Sequence, residues 1–158
     1  MSSLNKDNSK NEFNNLVEHI YEKDKLLAII LRTNFKKEGI DFFTPCDFSQ
    51  QLGYMNRPKG YKIQPHIHKR IERTIEYTQE VLFIKTGLVR VDFYKTNKTY
   101  LSSKVLNSGD VILLSAGGHG FEMLEDSEII EVKQGPFAGN IDKSRFEFVS
   151  HNKLDIKQ

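Results

Sequence analysis

Two histidines one residue apart, His66 and His68, lie in the stretch QPHIHKRIERTIEYTQEVLFIKTG, residues 64–87, and a lone acid, Glu80, stands directly before an apolar run ending at Gly87. In an extended strand alternate side chains share a face, so His66 and His68 would present neighbouring imidazoles to one ion. Gln64 and Lys62 share that parity, with Pro65 as a local interruption. Glu80 heads the next apolar segment and offers an oxygen donor. A third imidazole, His119, follows a strand-like run in SGDVILLSAGGHGFEM, within a glycine-rich turn where backbone can approach closely. Three imidazoles and one carboxylate on an octahedral divalent ion leave two positions for water or a small ligand. Fe, Mn, Ni, Co, Cu and Zn all suit such a borderline donor set. On the residues alone, a polar loop that happens to contain two histidines stays an open alternative.

Other chemistries are weaker. Gly117-Gly118-His119-Gly120 lacks the pattern of a phosphate-cradling loop, and no helical period follows it. Ser115, His119 and Asp110 could be drawn as a hydrolytic triad, but no strained nucleophile turn accompanies them. Cys46 is the single cysteine, which excludes an intramolecular disulfide and a thiolate cluster. His19 and His151 read as solvent-facing. Asn97-Lys98-Thr99 matches a glycosylation sequon that has meaning only in a secreted chain.

The elements that must position these groups are short and mostly β-branched or aromatic. LLAIILR, DFFTPCDF, QQLGYMN, GYKI, EVLFIKTG, LVRVDFY, TYLSSKVL, DVILLS and EIIEVKQ are separated by turn residues such as Arg57-Pro58-Lys59-Gly60 and Asn107-Ser108-Gly109-Asp110. Regularly spaced strands without intervening helices predict an all-β domain, an antiparallel sandwich or barrel. Leu88 to Tyr94 alternates most clearly, with Val89, Val91 and Phe93 on one face and Arg90, Asp92 and Tyr94 on the other. Ahead of the strands, Phe13, Leu16, Val17, Ile20 and Tyr21 recur at spacings of three and four, which predicts a short amphipathic helical arm over residues 12–24, capped by Asn11. Residues 1–11 are polar and predicted disordered, 25–137 form the β domain, and 138–158 a C-terminal tail.

Composition bounds the partners. With 158 residues, 38% hydrophobic and 28% charged, one soluble domain with its own core is expected. The balance of 23 basic against 21 acidic residues argues for neither nucleic acid nor a membrane surface. The N-terminal stretch has no apolar core of a signal peptide, and Leu26 to Leu31 is too short to span a bilayer, so a cytoplasmic location is expected. Phe42 and Phe43, beside a turn, are the side chains expected to pack against a partner subunit.

Gly60, His66, His68, Glu80 and Gly87 resemble the first motif of the cupin superfamily, and Gly109, Gly117 and His119 resemble the second. The likeness covers residues 50 to 135, and the run from Lys59 to Pro136, including EVKQGPF, is similar to small stand-alone bacterial cupin-fold metalloproteins. The resemblance implies a single jelly-roll β-barrel, a metal held by His66, His68, Glu80 and His119, and a homodimer. It implies a link to sugar or sugar-nucleotide metabolism of surface polysaccharides. Two readings follow: an enzyme, a metal-dependent isomerase or dioxygenase, or a non-catalytic barrel in which the metal orients a small-molecule ligand. Gln64, Lys62, Phe121 and Met123 are then the candidate pocket lining. Eleven residues, Lys69 to Gln79, separate His68 from Glu80 where the superfamily has three or four, which implies an inserted hairpin or loop. Ser115 stands where proline is usual, one residue separates Gly117 from His119 where two are expected, and Met123 replaces a frequent asparagine.

Overall fold

A computed structural model describes residues 16–157. The predicted disordered stretch 1–11 and residues 12–15 of the predicted helix lie outside the described residues. Of those described, 16–35 with 77–157 form one compact unit, and Lys36–Glu76 a second.

The larger unit is all-β. Its strands are β1 (Val17–Glu22), β2 (Lys25–Leu31), β5 (Glu80–Thr86), β6 (Leu88–Tyr94), β7 (Tyr100–Asn107), β8 (Val111–Leu114), β9 (Gly118–Met123) and β10 (Glu128–Lys133). The smaller unit holds β3 (Gly39–Phe42) and β4 (Gly53–Asn56). Among the described residues the only helical element is a single 3-10 turn, His151–Lys153, and no helix is long and apolar enough to cross a membrane.

Two antiparallel sheets face each other in the larger unit, one ordered β1-β2-β8-β5-β10 and the other β7-β6-β9. The period of two explains which residues meet. Ala28 and Ile30, Leu82 and Ile84, and Ile112 and Leu114 point inward from the five-stranded sheet, and Val89, Val91, Phe93 and Leu106 from the other. Burying an aliphatic or aromatic side chain of this kind stabilises by roughly 1.5–3 kcal/mol, so this ten-residue cluster is the main cohesive element. Neither sheet closes into a barrel among the described residues, so the architecture shown is two packed antiparallel sheets.

The predicted helix over 12–24 is corrected in its described part: Val17–Glu22 is strand β1, antiparallel to β2 with Val17 opposite Leu31 and Glu22 opposite Lys25. The reason is that its inward row carries charge. Glu18 lies inward beside Ile20 and accepts from Arg32 at 2.6 Å and Lys104 at 2.5 Å, so the alternation is invisible to a hydrophobic pattern. A bulge between Ile20 and Tyr21 further breaks the period.

The predicted split of β6 into an apolar and a polar face holds by residue, yet both faces are buried. On the second face Arg90 donates to Asp92 at 2.8 Å, and Ser103 Oγ donates to Asp92 at 2.5 Å. The C-terminal segment covers this face: Val149 N donates to the Tyr94 hydroxyl at 3.0 Å, and Ser103 exchanges backbone hydrogen bonds with Asp155 and Lys157.

In the smaller unit β3 and β4 pair as a hairpin, Gly39 opposite Asn56 and Phe42 opposite Gly53. Gln51 ties its loop, accepting from Thr44 Oγ1 at 2.8 Å and donating to the Pro45 and Phe48 carbonyls at 2.9 Å. Residues 57–76 contain no strand, including the predicted GYKI segment, and are exposed. A strand needs a ladder of backbone partners; the 61–76 backbone makes no backbone–backbone bond beyond Tyr61 N to the Pro58 carbonyl, and Pro65 lacks a donor.

Candidate functional site

The inward rows that build the core end in polar groups. Glu80 continues the Leu82–Ile84 row of β5, and it sits opposite Leu114 of β8 and Lys133 of β10. His119 lies opposite Phe93 of β6 and shares a face with Phe121, which packs against the core. These two rows bring His119 Nε2 to 3.1 Å from Glu80 Oε2. His119 was expected in a turn past a strand; it lies instead within β9, paired with β6. Glycines flanking it had masked the strand, because a Gly-His-Gly segment has no apolar alternation to read.

Glu80 is only 7% exposed. Its carboxyl is lowered from 4.5 to about 2, chiefly by the hydrogen bond from His119, against the opposing effect of burial, with the charges of His119, Lys143 and Lys133 adding to the drop. Lys143 Nζ stands 3.4 Å and Lys133 Nζ 3.6 Å from Glu80 Oε1. Because the carboxylate is ionised it can only accept, so Nε2 of His119 carries the proton between them. The pair opens onto a cavity of about 640 Å³, a size that suits a small-molecule ligand.

The other two predicted ligands lie in the smaller unit. His66 and His68 are exposed on the irregular segment rather than on a strand, with ring centroids 5.1 Å apart in an edge-on arrangement. His66 Nδ1 is 3.0 Å from the Gln64 carbonyl. Among the described residues, neither unit gathers three or more His, Cys, Asp or Glu side chains that could hold a metal ion. The donors at Glu80 and His119 thus fit half of the expected set, one carboxylate and one imidazole, with two lysine ammoniums beside the carboxylate.

Of the predicted lining residues, Phe121 and Met123 are not on the cavity wall: Phe121 packs toward the core and Met123 is 51% exposed. Lys62 and Gln64 belong to the smaller unit and are exposed. The drawn triad is not assembled, since Ser115 Oγ donates to the Leu26 carbonyl at 2.8 Å and Asp110 is held by Arg32 and Thr33. Sequence reading did not single out Lys133, Lys143 or the wall from Asp142 to Phe148. Lys133 becomes a neighbour of Glu80 only through strand register, and Asp142–Phe148 has no regular period; its basic residues Lys143 and Arg145 followed by the aromatic Phe146 and Phe148 were the available signal. Comparison of the chain with protein-family models, curated proteins and solved structures finds no match.

Proposed function

We propose that the chain is a small metal-binding protein of the cupin type that takes a small polar metabolite, such as a sugar or sugar nucleotide, in the cavity beside Glu80 and His119. One observation carries the reading. The two residues drawn from separate motifs of the resemblance, 39 positions apart, meet at 3.1 Å at the inward-facing ends of two sheets. In this reading the carboxylate of Glu80 and the imidazole of His119 would hold one divalent transition metal, and the fold is a jelly-roll barrel. The bound ion would supply Lewis-acid or O₂-binding chemistry.

The residues in hand have clear tasks. Glu80 stays ionised throughout the neutral range because its carboxyl lies at about 2, so it serves as a fixed negative charge rather than a proton shuttle. For both atoms to hold a cation, His119 would present a bare Nε2 lone pair, its ring proton carried on Nδ1. The absence of a proton-shuttling role for Glu80 equally favours the alternative, a non-catalytic pocket that orients its ligand.

The test is elemental analysis of protein purified without chelator. Close to one transition-metal ion per chain is expected, and Glu80→Gln with His119→Ala should abolish it. Full occupancy in that double variant would overturn the site.

A further inference from the structure

Five cationic side chains, Lys25, Lys95, Lys98, Lys143 and Arg145, line the cavity against three carboxylates, Glu80, Asp142 and Glu147. Lys143 is committed to Glu80 at 3.4 Å. The other four make no ion pair among the described residues; neutral groups hold three of them. Lys98 Nζ donates to Ser144 Oγ at 3.0 Å and lies 5.7 Å from the Phe146 ring centre. Arg145 Nη1 donates to Asn140 Oδ1 at 2.8 Å, and Lys25 Nζ lies 5.3 Å from the Tyr77 ring centre. A hydroxyl, an amide and an aromatic face position a cation without cancelling its charge, so the cavity wall keeps a positive excess.

The charges are concentrated. Lys95 and Lys98 share the tight β6–β7 turn, in which Lys95 N donates to the Thr99 carbonyl at 2.8 Å and Lys98 N to the Lys95 carbonyl at 2.9 Å. Lys98 has φ 69, a left-handed conformation that glycine or asparagine adopts more readily, so a long cationic side chain occupies a position whose backbone disfavours it. Its contact with Ser144 sets this turn against the segment carrying Arg145 and Phe146. Phe146 in turn packs edge-on to Tyr94 at 5.0 Å between ring centres. Cations beside an aromatic wall form a subsite for an oxyanion attached to a less polar body.

We propose that this cavity binds an anionic small molecule, its phosphate or carboxylate seated among Lys95, Lys98 and Arg145 and its body extending along Phe146 and Tyr94 toward Glu80 and His119. This rests on reading the cavity as a ligand pocket but needs no metal for the anion to bind. These cations make no ion pair among the described residues, so an arriving oxyanion adds charge-assisted hydrogen bonds without breaking one.

The test is calorimetric titration of the full chain, metal-stripped, with inorganic pyrophosphate and separately with succinate. At least one probe should bind, and Lys98→Gln with Arg145→Gln should weaken it tenfold or more, whereas Lys98→Arg should weaken it less than about threefold. Lys98 and Arg145 are both exposed, and circular dichroism melts are the check that each variant folds. Loss with pyrophosphate assigns a phosphate ligand, and loss with succinate a carboxylate. No binding of either probe overturns the proposal, as does binding that the double variant leaves unchanged, which would mark an adventitious ion only. If one metal ion per chain is found but neither probe binds, this inference fails and the metal reading stands. If a probe binds with the expected loss and no metal is found, the reverse holds.

Discussion

His119 Nε2 lies 3.1 Å from Glu80 Oε2, joining β9 of the three-stranded sheet to β5 of the five-stranded sheet at the end of their shared core. Each residue continues an inward row that is otherwise apolar. The same alternation that builds the core therefore delivers a carboxylate and an imidazole to one point at its rim, where the cavity opens.

That contact has a consequence in acid. Glu80's folded-state carboxyl is depressed, so its stabilising contribution is fully present above about 4.5 and is lost as pH falls toward about 2. At about 1.36 kcal/mol per tenfold change in proton affinity, the drop from 4.5 to about 2 corresponds to roughly 3 kcal/mol. Denaturant melts of metal-stripped wild type and Glu80→Gln should converge as pH is lowered through that window. A stability gap that stays constant down to about pH 2.5 would show that the depression is not real.

Lys143 lies 3.4 Å from Oε1 of Glu80, the carboxylate whose other oxygen faces His119, so its charge opposes a divalent cation held there. Removing its charge should therefore strengthen metal binding. Lys143→Gln is expected to tighten Co²⁺ or Zn²⁺ binding about three- to tenfold, about 0.7–1.4 kcal/mol, in equilibrium titrations. Weaker binding in this variant would mean that Lys143 helps hold the site rather than opposing a cation.

Much of the larger unit was legible because its strands are apolar runs bounded by turns: LLAIILR, EVLFIKTG, LVRVDFY, TYLSSKVL, DVILLS and EIIEVKQ correspond to β2, β5, β6, β7, β8 and β10. Strand β1 was misread as a helix because Glu18, ion-paired to Arg32 and Lys104, occupies an inward position that carries no apolar signal. Strand β9 was missed because Gly118 and Gly120 flank His119, leaving its alternation to glycines. The resemblance implied only that Glu80 and His119 belong to one ligand set; their direct contact at 3.1 Å comes from the register of β5 and β9. Lys133 and Lys143 were not legible, since one reaches Glu80 through register and the other through an irregular segment with no period of its own.

Asp110 anchors the entry to β8. It is 1% exposed and accepts from Arg32 Nη1 at 2.8 Å, Thr33 N at 2.8 Å and Asn107 N at 2.9 Å. Asp110→Ala leaves the partly buried Arg32 without one acid and two backbone donors without an acceptor, so a loss of about 3–5 kcal/mol is expected. Asp155→Ala breaks an exposed pair with Lys157 at 3.4 Å and should change stability by no more than about 0.5 kcal/mol. Chemical denaturation of both variants checks the contrast, and equal losses would remove the claim that burial sets the cost.

The sharpest test of the carboxylate ligand compares three acids. Glu72 and Glu76 lie on the exposed, irregular 57–76 segment, where holding a side chain in a fixed place costs conformational entropy. Glu80 begins β5, with its backbone fixed by pairing to Leu114 and Lys133 and its carboxylate already beside His119. A donor on a rigid strand needs little ordering to bind. Glu80→Gln should therefore weaken metal binding tenfold or more, about 1.4 kcal/mol, and Glu72→Gln and Glu76→Gln each by less than about threefold. Metal titrations of the three folded variants decide it. A large loss in Glu72→Gln or Glu76→Gln with little effect of Glu80→Gln would transfer the ligand role to the irregular segment and leave the Glu80–His119 contact as a structural ion pair.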